Sequence, residues 1–170
     1  RVSEAQACFE KAVALDPGRA RNWNNPGLAF ADLGRQDDAT RAFERALALD
    51  PAYGLAHLNL ARPCDSAGKA DEAIAHAREA CRLAPRHVEA HVLAGDLYRK
   101  RRDVANALAS YRSAIGVAPR NAKARNALAE MLWETGAVEE ARREFAANRR
   151  EHPGSLKAAL GSELLLPAVY

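Results

Sequence analysis

Long apolar runs are missing from this 170-residue chain. No stretch approaches the ~18 residues of a membrane-spanning helix, so no membrane partner is expected. Aromatics are scarce, with four Phe, four Tyr and two Trp, whereas Ala supplies 39 residues. Small side chains at that level point to closely packed helices and away from an all-β fold. Charge of one sign is also lacking. The chain carries 25 basic and 22 acidic side chains, for a net charge of +3. Residues 1–85 hold 11 basic and 12 acidic, and residues 86–170 hold 14 and 10. That balance leaves no nucleic-acid footprint. Pro and Gly total 18, and with Leu and Ala plentiful a collagen-like or disordered chain is excluded.

Cysteine is represented by Cys8, Cys64 and Cys81 alone, with no C-x-x-C pair. An odd, scattered set does not make a secreted disulfide framework, and a reducing, cytoplasmic compartment fits it better. The chain starts at Arg1, with neither Met nor a signal-like segment, and reads as a piece of a longer protein. Motifs with a chemical mechanism are absent as well: no G-x-S-x-G, P-loop, G-x-G-x-x-G or H-E-x-x-H. His87 and His91 stand four apart, but two ligands without a third make a poor zinc site. Cys8, Cys64 and Cys81 fall at core-like helix positions, where small apolar fillers are expected. The sequence therefore predicts no catalytic residue, no metal and no cofactor for this segment.

What is present is a period. Prolines stand at Pro17, Pro51, Pro85, Pro119 and Pro153, each 34 residues after the last. Ala5, Ala39, Ala73, Ala107 and Ala141 keep the register, followed by Phe9, Phe43, Ala77, Tyr111 and Phe145. Ala12, Ala46, Ala80 and Ala114 follow, with Asn148 in the fifth place. Gly34, Gly68 and Gly136 recur at a turn where Arg102 stands once. Within a period the apolar residues fall at i, i+4, i+7 and i+11, one helix face. Small residues such as Gly27, Ala39 and Gly95 allow helices to approach, and Phe43, Tyr111 and Phe145 fill the gaps. The turn glycines are expected at positive φ, and the periodic prolines end the second helix of each period. One helix pair cannot bury its own apolar face, but stacked pairs can. Pro26 and Pro63 lie inside first helices and predict a kink in each. Arg99–Arg102 read as a capped helix end, and Arg142–Arg143 and Arg149–Arg150 as solvated outer faces.

This period resembles the tetratricopeptide repeat, with its W-x2-L-G-x2-Y…A-x3-F…P signature. The second unit shows it as Trp23, Gly27, Phe30, Ala39, Phe43 and Pro51. The fourth shows it as Gly95, Tyr98, Ala107, Tyr111 and Pro119, with His91 in the Trp place, as His57 is in the third unit. Packing is the role expected of both histidines. The resemblance implies an all-α, right-handed α-solenoid. Its parts are a partial first unit at 1–19, whole units at 20–53, 54–87, 88–121 and 122–155, and a capping helix and junction at 156–170.

Members of the family bind extended peptides along a concave groove lined by the first helices. Carried over to this chain, the resemblance places Asn24, Asn25, Leu28, Asn59, Arg62, Asp96, Arg99, Asn126, Glu130 and Trp133 in such a groove. Amides there can bond a peptide backbone, and Trp133 can anchor an apolar side chain. The clamp that some members use for a C-terminal carboxylate is not completed: Asn24 and Leu28 hold its first places, with no Lys/Arg pair. A weaker resemblance is to the arm of bacterial O-linked N-acetylglucosamine transferase-like proteins, whose asparagine ladder Asn25 and Asn59 match. Leu93 and Ala127 break that ladder. Leu166–Tyr170 is similar to the L-P-x-x-Y junction of those enzymes, or else it caps the open edge of the last unit. The expectation is a non-catalytic protein- or peptide-binding scaffold, alternatively the substrate-recruiting arm of such a glycosyltransferase. Self-association through exposed end helices is a further possibility, because the first unit lacks its first helix.

Overall fold

The computed structural model describes residues 16–153. The expected partial helix within 1–19 and the expected cap within 156–170 lie essentially outside them. Every regular element among the described residues is an α-helix: α1 (Ala20–Asp32), α2 (Gln36–Leu49), α3 (Gly54–Ser66), α4 (Ala70–Leu83), α5 (Val88–Lys100), α6 (Val104–Val117), α7 (Ala122–Glu134) and α8 (Val138–Glu151). This is the all-α helical-repeat class. The chain forms two compact units, Arg1–Pro85 and Arg86–Tyr170. In unit 1, α1 pairs with α2 and α3 with α4, and α2 also packs on α3. In unit 2, α5 pairs with α6 and α7 with α8, and α6 packs on α7.

The turns explain the period. At the end of α1, the Gly34 N–H bonds the Ala31 carbonyl and the Arg35 N–H bonds the Phe30 carbonyl. This closure needs a left-handed residue at its centre, and Gly34, Gly68 and Gly136 supply it at φ +74, +75 and +81. After α5 the same two bonds form around Arg102, at φ +59, where a Cβ is strained. Arg102→Gly is therefore expected to raise the stability of unit 2 by about 1 kcal/mol. A urea midpoint for the variant at or below that of the parent would refute it. Each second helix ends two residues before its proline, with one residue between. Asp50, Ala84, Ala118 and His152 have φ near that of a strand, a conformation the following ring imposes.

Helix ends carry matching charge. Acidic pairs open α2 (Asp37, Asp38), α4 (Asp71, Glu72) and α8 (Glu139, Glu140). Basic pairs close α5 (Arg99, Lys100) and α8 (Arg149, Arg150). Asp103 and Asn121 cap α6 and α7 by accepting the N–H groups of Asn106 and Ala124.

The core follows the repeat. Ala39, Phe43 and Ala46 are buried in unit 1, and Ala107, Tyr111, Ala114, Ala141 and Phe145 in unit 2. Gly27 lies against the Phe43 ring and Gly95 against the Tyr111 ring, closer than a Cβ permits. The helical assignment runs on past Pro26 to Asp32 and past Pro63 to Ser66, so neither proline ends its helix. Each removes the N–H that would bond the carbonyl four residues earlier. Arg142 departs from its expected solvated position: it is half-buried on α8, with its Nε shielded from water.

The residue at the signature Trp place does more than pack. Trp23 donates its indole N–H to the Pro17 carbonyl (3.0 Å), and Arg125 donates to the Pro119 carbonyl (3.0 Å). His57 shares a bond of 3.1 Å with the Pro51 carbonyl. Three different side chains thus tie a first helix to the turn before it, and each binds a carbonyl that the proline turn leaves exposed.

Candidate functional site

The first helices carry all ten of the residues expected to bind. In unit 1 they fall on α1 and α3. Asn24 is buried, Asn59 is half-buried, and Asn25, Leu28 and Arg62 are exposed. Asn59 donates its amide N–H to Asn24 Oδ1 across the two helices (2.9 Å). The bond fixes both side chains, and in this amide orientation it leaves Asn59 Oδ1 as a spare acceptor. Asn25 and Asn59 hold the same place in successive units. Asn59 bonds Asn24, and Asn25 stands exposed outside that bond.

In unit 2 the residues fall on α5 and α7, and they come together more closely. A cleft of about 310 Å³ is lined by Asp96, Arg99, Lys123, Asn126, Ala127 and Glu130. Arg99 reaches from α5 to two carboxylates on α7, Glu130 at 3.2 Å and Glu134. Hydrogen bonding to Glu134 first, and to Glu130 next, holds its pKa above the ordinary arginine value. The expected solvated helix end is thus an interhelical ion triad at Arg99. Trp133 stands one helical turn beyond Glu130 and is 47% exposed.

Two supports of this cleft were not among the expected site residues. Tyr111 is fully buried and donates its hydroxyl to Asp96 Oδ1 (2.8 Å). Burial, and then the bond to Asp96, pushes its phenol well above the usual range, so it stays a donor. Asn148 is fully buried where the other periods have Ala, and it donates to Asn126 Oδ1 (2.6 Å). With its oxygen occupied, Asn126 keeps N–H groups to offer a ligand. The signal for Asn148 was in the sequence, as the one break in the Ala12, Ala46, Ala80, Ala114 series.

The arrangement offers one spare acceptor in unit 1, one set of amide donors in unit 2, and charges of both signs. This chemistry suits peptide groups. Among the described residues no three His, Cys, Asp or Glu side chains are placed to hold a metal ion, and no helix is long and apolar enough to cross a membrane. His87 stands at the N-cap position of α5 without a side-chain cap bond, its Nδ1 3.2 Å from Glu89 Oε2. Cys64 is buried and Cys81 half-buried, and burial pushes the Cys81 thiol up to about 11. Burial of this kind suits a small apolar filler, and Cys8 lies outside the described residues.

The tetratricopeptide repeat family matches residues 1–51, 27–88 and 92–155, and the chain belongs to it. Its repeats are protein-interaction scaffolds. Solved structures share the fold. YrrB, described as a TPR protein with an unusual peptide-binding site, is 20% identical with a TM-score of 0.79, over 92% of this chain and 81% of its own. PilF of Pseudomonas aeruginosa is 17% identical with a TM-score of 0.85, over 96% and 75%. TTC0263, a thermophilic TPR protein of Thermus thermophilus, is 21% identical with a TM-score of 0.73, over 97% and 90%. No curated protein matches the sequence. The likeness to a glycosyltransferase arm gains no support from these relatives.

Proposed function

We propose that the first helices bind an extended peptide segment of a protein partner, and that this segment of the chain performs no catalysis. The observation that carries the reading is the α5–α7 cleft. It gathers Asp96, Arg99, Asn126 and Glu130 around about 310 Å³, beside an exposed Trp133. Exposed tryptophan next to oriented polar groups is the composition of a binding hot spot. Supporting arguments are membership of a protein-interaction family and the peptide-binding site described for YrrB. In unit 1, Asn59 Oδ1 and the exposed Leu28 and Leu55 offer an acceptor and apolar contacts of the same kind.

The test starts from a displayed peptide library selected on the full chain. The affinity of the selected peptide is then measured by tryptophan fluorescence and calorimetry. Asn25→Ala, Asn59→Ala and Trp133→Ala combined are expected to raise Kd by about tenfold or more with helicity retained. An unchanged Kd in a variant of full helical content would overturn the assignment.

A further inference from the structure

A second cleft lies in unit 1, away from the residues just discussed. It measures about 540 Å³ and runs between α2 and α4 above the C-terminal half of α3. Its floor is Leu60, Pro63 and Cys64. Glu44 and Thr40 stand on the α2 wall, and Glu72 and His76 on the α4 wall.

The repeat supplies an internal reference, because unit 2 has the same three helices 68 residues later. There Leu108, Met131 and Leu132 stand where unit 1 has Thr40, Pro63 and Cys64, and all three join the core cluster. The charges change too. Across the mouth in unit 2, Arg112 on α6 binds Glu140 on α8 at 3.3 Å. The equivalent places in unit 1 are Glu44 and Glu72, two carboxylates, and the one cation bound there, Lys69, holds Glu72 without reaching Glu44 in any bond among the described residues. Deeper in, the Arg125–Glu144 pair of unit 2 (2.6 Å) is replaced by His57 and His76, whose Nδ1 atoms share a 2.9 Å bond. Unit 1 therefore lacks both the hydrocarbon and the guanidinium that close this place in unit 2.

Three features bear on the carboxylates. Glu44 and Glu72 line the cleft together with Cys64 and His76, and both act to raise the pKa of those two groups. Burial and His57 outweigh them at His76 and hold it low, so His76 is neutral near pH 7 and supplies no cation. The cations on the rim are committed: Arg41 binds Asp38 at 2.6 Å, and Lys69 binds one oxygen of Glu72 at 3.2 Å.

We propose that this cleft is a second binding site, one that takes an arginine side chain of a protein partner. The guanidinium bridges Glu44 and Glu72 as Arg112 bridges to Glu140, and the aliphatic stem lies on Leu60, Pro63 and Cys64. A planar cation with a flexible hydrocarbon stem replaces at one stroke what Leu108, Met131 and Arg112 supply in unit 2. The proposal does not depend on the first-helix reading.

The probe is N-acetylarginine N-methylamide, titrated into the nitrogen-15-labelled full chain and followed by amide shifts. The neutral citrulline analogue is the control. Saturable shifts confined to α2, α4 and the end of α3, absent with citrulline, are the expected result. Glu44→Gln should weaken binding by about fivefold or more. Glu44→Arg should abolish it by rebuilding the internal bridge, with spectral dispersion kept. If that variant loses dispersion, Thr40→Leu, which fills the space without touching the charge, is expected to exclude the probe instead. Non-saturable shifts, equal shifts with citrulline, or equal shifts at the Glu139–Glu140 helix start would overturn the proposal.

Discussion

Tyr111→Ala is expected to lower the unfolding free energy of unit 2 by about 3–5 kcal/mol, the cost of emptying a fully buried aromatic site. Two losses combine. The ring fills the space between α5, α6 and α7, packed with Leu128, Ala129 and Leu132. The hydroxyl also holds Asp96 in the candidate cleft. Tyr111→Phe separates the two. It keeps the ring and orphans one acceptor, so about 1 kcal/mol is expected. Because Asp96 loses its anchor, Tyr111→Phe should also weaken peptide binding more than a stability change alone would. Urea unfolding followed at Trp133, in the same unit, measures the first effect. A loss below about 1 kcal/mol for Tyr111→Ala would show that the ring does not carry the core.

Gly95→Ala is the second large effect, and its sign is the point. Helix propensity alone favours Ala over Gly by about 1 kcal/mol inside a helix. Here the added Cβ would stand 2.4 Å from Tyr111 Cε1, and at Gly27 a Cβ would stand 2.4 Å from Phe43 Cε1. Both rings are locked in the core, so neither can swing away. Overpacking of this kind costs about 1–3 kcal/mol after the propensity gain, and sterics win. Gly116→Ala in α6 is the control. Nothing lies within 4 Å of its new methyl, so it should stabilise. Trimming the ring in the double variant Gly95→Ala with Tyr111→Leu should cost less than the sum of the two single changes. Denaturation midpoints that rose for Gly95→Ala as they do for Gly116→Ala would refute the close approach.

Much of this molecule was legible in advance, for a definite reason. The period of the prolines and of the Ala and aromatic series reflects contacts between residues close in sequence, within a helix and between adjacent helices. Local rules suffice for such contacts. Helix ends and turn glycines at positive φ followed from spacing, whereas the pairing of Gly27 with Phe43 and of Gly95 with Tyr111 did not. The residues expected to bind all lie on first helices, because the period fixes which helix a residue belongs to. The partners of those residues were not legible. Asn59 bonds Asn24, and Arg99, at the end of its helix, binds Glu130 and Glu134. These contacts join residues about one period apart, and which of several polar neighbours wins depends on ångström-level distances. His57 shows the same limit. As a residue in the Trp place it reads as packing, yet both of its ring nitrogens are engaged.

The sequence by itself determined the repeat, the places where helices turn and stop, and the class of fold, since these follow from periodicity and from the steric rules of Pro and Gly. Only the tertiary structure decided which polar groups are spent on one another and which remain for a ligand. It alone set Tyr111 on Asp96, Asn148 on Asn126, and an open cleft in unit 1 where unit 2 is filled. Those outcomes depend on packing between helices, where one methyl group or one charge settles whether a space is closed.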